Sequence, residues 1–97
     1  MMNAYPPAGA DRYAAVQAHY TLTLERLMQR TAQLDSIPCP QTWHSTLRLL
    51  RAETADYLQT ALLPEPLRDA FEHLYVRIDA AEQYGWRVPP SLLPWQP

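Results

Sequence analysis

The chain has 97 residues, 47% apolar and 19% charged, with a formal net charge of −2. That length fits one domain with a single modest core, because a chain of this size buries roughly 60 to 70% of its unfolded surface. All eight basic residues are Arg, which excludes lysine Schiff-base chemistry and a P-loop lysine, and the weak negative charge means that nucleic acid or an anionic membrane would need a local patch to bind.

Only Gly9 and Gly85 are glycines, so there is no glycine-rich cradle for a dinucleotide or phosphate. Cys39 is the sole cysteine, which forbids an intrachain disulfide and suits a reducing compartment. The opening MMNAYPPAGA has neither a basic nor a long apolar region of the kind a signal peptide carries, and no apolar run approaches the ~20 residues of a membrane span. The expected location is cytoplasmic, with no membrane partner.

Residues 1–9, with Pro6, Pro7 and Gly9, read as a flexible arm. The next stretch predicts a helix over 10–34, with Asp11 as its N-cap. Tyr13, Gln17, Tyr20, Leu24, Leu27, Thr31 and Leu34 recur in steps of four and three, which places them on one face. Residues 20–24, YTLTL, alternate with period two as a strand would, but the longer period continues on both sides and favours helix. A second helix is predicted over 41–63, its seam formed by Trp43, Leu47, Leu50, Thr54, Tyr57 and Ala61. A third is predicted from Pro66 to Tyr84, with Leu67, Phe71, Leu74, Ile78 and Ala81 inward and Gly85 at the C′ position in a left-handed conformation. Burying Trp43, Leu50, Phe71 or Ile78 contributes roughly 1.5 to 3 kcal/mol each before packing terms.

Prolines mark the connections at Pro38 and Pro40, Pro64 and Pro66, and Pro89 and Pro90. Lacking an amide hydrogen, each suits a turn or a first helical turn and not a helix interior. Short connections make successive helices antiparallel neighbours. The predicted fold is therefore all-α: a three-helix up-down-up antiparallel bundle over 10–85 with an extended Pro/Trp-rich C-terminal tail over 86–97. That tail, WRVPPSLLPWQP, is too apolar to be expected free in water. It either straps back over the bundle or carries Leu92, Leu93 and Trp95 into a groove on a partner or a second copy.

Four constellations bear on chemistry. His44, Arg48 and Arg51 share a second stripe on the middle helix, where guanidinium groups can grip phosphates or carboxylates, and the segment SIPCPQTWHSTLRLLR faintly suggests the second helix of a helix-turn-helix. Glu65, Asp69, Glu72 and Asp79 form an acidic stripe on the third helix, which would set register against the basic one, within one chain or between two. His19, His44 and His73 fall one on each helix; Asp69 and His73 are four apart, but the Glu-x-x-His motif of di-iron bundles is absent, and structural or solvent-facing histidines are expected. Cys39 precedes a helix N-terminus, which favours a thiolate, yet no oriented base or oxyanion pocket accompanies it.

The sequence identifies no reaction, metal or cofactor. The reading it supports is a non-enzymatic protein-protein interaction module of accessory, adaptor or inhibitor type. It would bind a protein partner or its own copy as a homodimer through Tyr75, Tyr84, Trp86, Leu92, Leu93 and Trp95, since aromatic residues and arginines carry much of interface energy. The alternative is a small dimeric nucleic-acid-binding regulator that uses the His44, Arg48 and Arg51 face.

Overall fold

The computed structural model describes the backbone of residues 8–89 and the side chains of residues 12–89. Three helices, α1 (Ala8–Ala32), α2 (Pro40–Gln59) and α3 (Glu65–Tyr84), form a small all-α bundle, with a 3₁₀ turn over Gln33–Ser36 between α1 and α2. Tyr20 of α1 meets Tyr57 near the end of α2, edge to face at 5.9 Å, and Tyr57 in turn meets Phe71 near the start of α3 at 5.6 Å. Successive helices are therefore antiparallel, and α2 packs against both neighbours.

The core is one cluster: Leu24, Leu27 and Leu34 from the first helical arm, Trp43, Leu47 and Leu50 from α2, Leu63 from the connection, and Phe71, Leu74 and Ile78 from α3. Leu50, Phe71 and Ile78 are sealed from solvent. Thr54 sits among them, fully buried, and donates its hydroxyl to the Leu50 carbonyl at 2.7 Å, so that its polar atom is not stranded. The same device settles the strand-like stretch of α1. Thr21 and Thr23 donate to the carbonyls of Gln17 and His19 at 2.8 and 3.0 Å, a four-residue reach available only on a helix.

The helix ends depart from the sequence expectations. α1 begins at Ala8 and not at an Asp11 cap, because its Ala-rich start propagates helix without one; residues 8 and 9 are thus helical and not part of an arm. Tyr13, expected inward, is about half exposed, since α2 ends at Gln59, roughly level with Ala18, and no longer lies beside it. Helix α2 stops short of Leu63, which removes Ala61 from the seam and leaves it exposed. Pro64 has no amide to offer the Thr60 carbonyl one turn back and would clash with it in a helix, and Arg68 caps the end: its guanidinium donates to the carbonyls of Leu58 at 2.7 Å and Thr60 at 3.1 Å, satisfying acceptors left open at the terminus. Leu63 then turns inward and is buried.

Pro40 and Pro66 occupy the first turns of α2 and α3, where a missing amide costs nothing. Helix α3 ends at Gly85, whose amide donates to the Ala81 carbonyl at 3.0 Å. Its φ of 77° is positive as expected, but ψ is 173°, an extended conformation essentially reserved for glycine and not the left-handed helical one. Beyond it the chain folds back: the Trp86 indole donates to the Ile37 carbonyl at 3.0 Å, Trp86 packs on the core, and Pro89 is buried. The first part of the tail is thus a strap on its own bundle. Leu92, Leu93 and Trp95 lie outside the described residues.

A Cβ at Gly85 would meet nothing within 4 Å, so Gly85→Ala isolates backbone strain from crowding. It should lower stability by about 1 to 3 kcal/mol, read as a fall in the urea midpoint; an unchanged midpoint would mean that the strap does not need this conformation.

Candidate functional site

A groove of about 780 Å³ lies at the end of the bundle where α3 finishes and α2 begins. Leu34, Trp43 and Ala81 contribute to its lining from the core side, and Arg77, Ala80 and Tyr84 from α3. Gly85, Arg87, Val88 and Pro89 of the strap, together with Asp35, complete the lining. The Trp86–Ile37 hydrogen bond positions this last wall, because it ties the strap to the turn between α1 and α2. A smaller hollow of about 150 Å³ over Thr31, Leu34, Asp35, Arg77 and Ala81 shares several of the same residues.

Outside the groove, α3 carries a second apolar stripe that the sequence reading missed. Val76, Ala80 and Tyr84 recur every four residues, and Val76 and Tyr84 are 64% and 72% exposed. Ala80 and Tyr84 also line the groove, so the stripe and the hollow form one surface, extended by the exposed Val88. The signal was present in the four-residue spacing, hidden by the stronger core stripe of Phe71, Leu74 and Ile78 on the same helix. Arg87 stacks over the Tyr84 ring at 5.5 Å, which orders two side chains of the kind that anchor interfaces.

The basic stripe has a different setting. His44, Arg48 and Arg51 do share one shallow depression of about 180 Å³, together with Leu47 and Glu82. Arg51, however, is engaged across the α2–α3 contact. It donates to the Asp79 carboxylate at 2.9 Å, pairs with Glu82, and reaches the Tyr75 hydroxyl through Nε at 3.3 Å while lying 5.7 Å from that ring's centre. The Tyr75 hydroxyl, then the charge of Glu82, hold the Arg51 pKa above its ordinary value. Two carboxylates thus offset this guanidinium, and Arg48 is the cation of the stripe that makes no ion pair among the described residues. Tyr75 belongs to the same cluster and not to the exposed stripe of α3.

The acidic stripe of α3 is divided in use. Asp79 meets Arg51 across the helices, whereas Glu65 and Asp69 pair within α3, with Arg68 at 3.7 Å and His73 at 3.6 Å. A second interhelical pair, Arg30 with Glu53 at 3.1 Å, ties α1 to α2. No group of three or more His, Cys, Asp or Glu residues able to hold a metal occurs among the described residues, and none of their helices is long and apolar enough to cross a membrane.

Cys39 is the N-cap residue of α2 and is partly exposed. The backbone amide of Thr42, then that of Gln41 and the Thr42 hydroxyl, favour the thiolate and hold its pKa below the ordinary thiol value, against a smaller opposing effect of burial. His44 is exposed, with its ring edge-on to Trp43 at 4.9 Å. In comparisons with known proteins, no family model, curated sequence or solved structure matches the chain.

The pH profile of Cys39 alkylation should have its midpoint below that of an unstructured cysteine peptide. Thr42→Val should move it only part of the way back, because the amide of residue 42 remains. A wild-type midpoint equal to the peptide's would remove the thiolate stabilisation.

Proposed function

We propose that the chain is a non-enzymatic protein-interaction module that docks a protein partner on the C-terminal half of α3 and the groove beside it. The observation that carries this reading is the continuity of an exposed apolar stripe, Val76, Ala80 and Tyr84, with a concavity floored by Leu34 and Trp43. Exposed apolar surface that adjoins a hollow and is rimmed by charged groups is what a protein interface buries.

The chemistry of the rim states what such a partner brings. Arg77 and Arg87 line the groove against a single carboxylate, Asp35, so a segment with apolar side chains and hydrogen-bond acceptors or acidic groups would fit best. Tyr84 is the side chain expected to contribute most, being large, exposed and held by Arg87. An adaptor, accessory or inhibitor role would each use such a surface, in a cytoplasmic setting.

The test is capture by the immobilised full chain from an extract of its native host, comparing wild type with Val76→Asp/Tyr84→Asp and with Leu49→Asp, which alters an exposed leucine on α2. A specific protein should be retained by wild type and Leu49→Asp and weakened at least about tenfold by the double substitution. Equal retention by all three, or recovery of nucleic acid lost in Arg48→Ala, would overturn the reading.

A further inference from the structure

Along α3 the groove wall runs Arg77, Ala80, Ala81 and Tyr84, so two helical turns, about 10 Å, separate Arg77 from Tyr84. Arg87 marks the other end, its guanidinium 5.5 Å from the centre of the Tyr84 ring. Both arginines are exposed, and neither makes an ion pair among the described residues. Asp35 is the one carboxylate of the lining. In a chain of net charge −2 the groove is thus a local cationic site. Between the two arginines the wall offers only the small Ala80 and Ala81, beside the buried Leu34 and Trp43.

The shape of the wall favours one kind of occupant. Val76, Ala80 and Tyr84 form a row of four-residue spacing, the kind of ridge that a second helix packs against. Ala80 is exposed at the middle of that row, where its small side chain leaves room for a large one. An extended segment would fit less well, because its backbone groups need partners. Along Arg77–Ala81 the wall is helical, its backbone already paired within α3, and Pro89 has no amide to give. A helix brings its own backbone bonds already made.

We propose that the groove takes an acidic amphipathic helix of a protein partner. Two carboxylates seven positions apart, about 10 Å along such a helix, meet Arg77 and Arg87, and a large apolar side chain between them sits over Ala80 and Ala81. Charge complementarity selects the partner and fixes its register, and the apolar residue anchors it. This inference rests on the docking surface proposed above and names the element that occupies it.

The test is selection of displayed random peptides of about 16 residues, some four helical turns, on the immobilised full chain. Enriched peptides should carry Asp or Glu at two positions seven apart, with a large apolar residue three or four positions after the first. A synthetic copy of the leading peptide should lose affinity about tenfold or more on Arg77→Glu/Arg87→Glu. Exchanging its two carboxylates for Lys should restore binding to that variant. Asp35→Asn should strengthen binding of the acidic peptide by ~2- to 5-fold, a gain that misfolding does not produce.

Peptides without an acidic excess, or affinity unchanged by Arg77→Glu/Arg87→Glu, would overturn the acidic helix. If those peptides still lose binding in Val76→Asp/Tyr84→Asp, the docking surface stands and only its occupant is wrong. No enrichment, or peptides indifferent to both pairs of substitutions, would overturn the inference and leave the capture experiment to decide the surface by itself. Self-association of the chain that Val76→Asp/Tyr84→Asp abolishes would reassign the face to a second copy.

Discussion

One buried seam on α2 carries the fold. Trp43, Leu47, Leu50 and Thr54 lie along it, and both other helices need it: Leu24 and Leu27 supply the α1 side of the common core, Phe71, Leu74 and Ile78 the α3 side. Each such side chain contributes roughly 1.5 to 3 kcal/mol when removed from water, against which the surface ion pairs of Arg30 with Glu53 and Arg51 with Asp79 are minor in energy. Their role is register. They fix which turn of one helix lies beside which turn of the next, and so decide where α3 ends relative to the start of α2. The groove is a consequence of that offset, closed on one side by the strap that Gly85 redirects and Trp86 fastens.

The helices and their faces were legible because burial imposes a period that composition cannot hide. Four-and-three spacing identified every core residue of α2 and α3, though not Leu63 in the connection between them, and it overrode the strand-like YTLTL, whose threonines are satisfied by carbonyls one turn back. Helix ends were less legible, since they depend on groups distant in sequence. Pro64 announces a stop after α2 but not that it falls at Gln59; the end carbonyls of Leu58 and Thr60 are taken by Arg68, which lies on the next helix. Gly85 did announce the end of α3, but the choice between two positive-φ conformations belongs to the docking of Trp86.

The candidate site was legible only in pieces. Tyr84 and Trp86 stood out as aromatics near the end of the bundle, and both belong to the groove region. Tyr75 stood out for the same reason yet lies with Arg51, a neighbour 24 positions away that no local period reveals. The basic stripe kept its geometry but not its charge, because Asp79 and Glu82 approach from another helix. Conversely, Arg77, Val76 and Ala80 drew no notice, as a weak stripe beside a strong one is easily read as a solvated face.

The central claim is that the strap is fastened to its own bundle and so builds the groove wall. The most direct measurement is hydrogen exchange at the three indole N–H groups of the full chain. The account predicts marked protection at Trp86, whose N–H is bound to the Ile37 carbonyl at 3.0 Å. Exchange at Trp86 as fast as in a free indole would contradict it, for the groove would then lose the wall formed by Arg87, Val88 and Pro89.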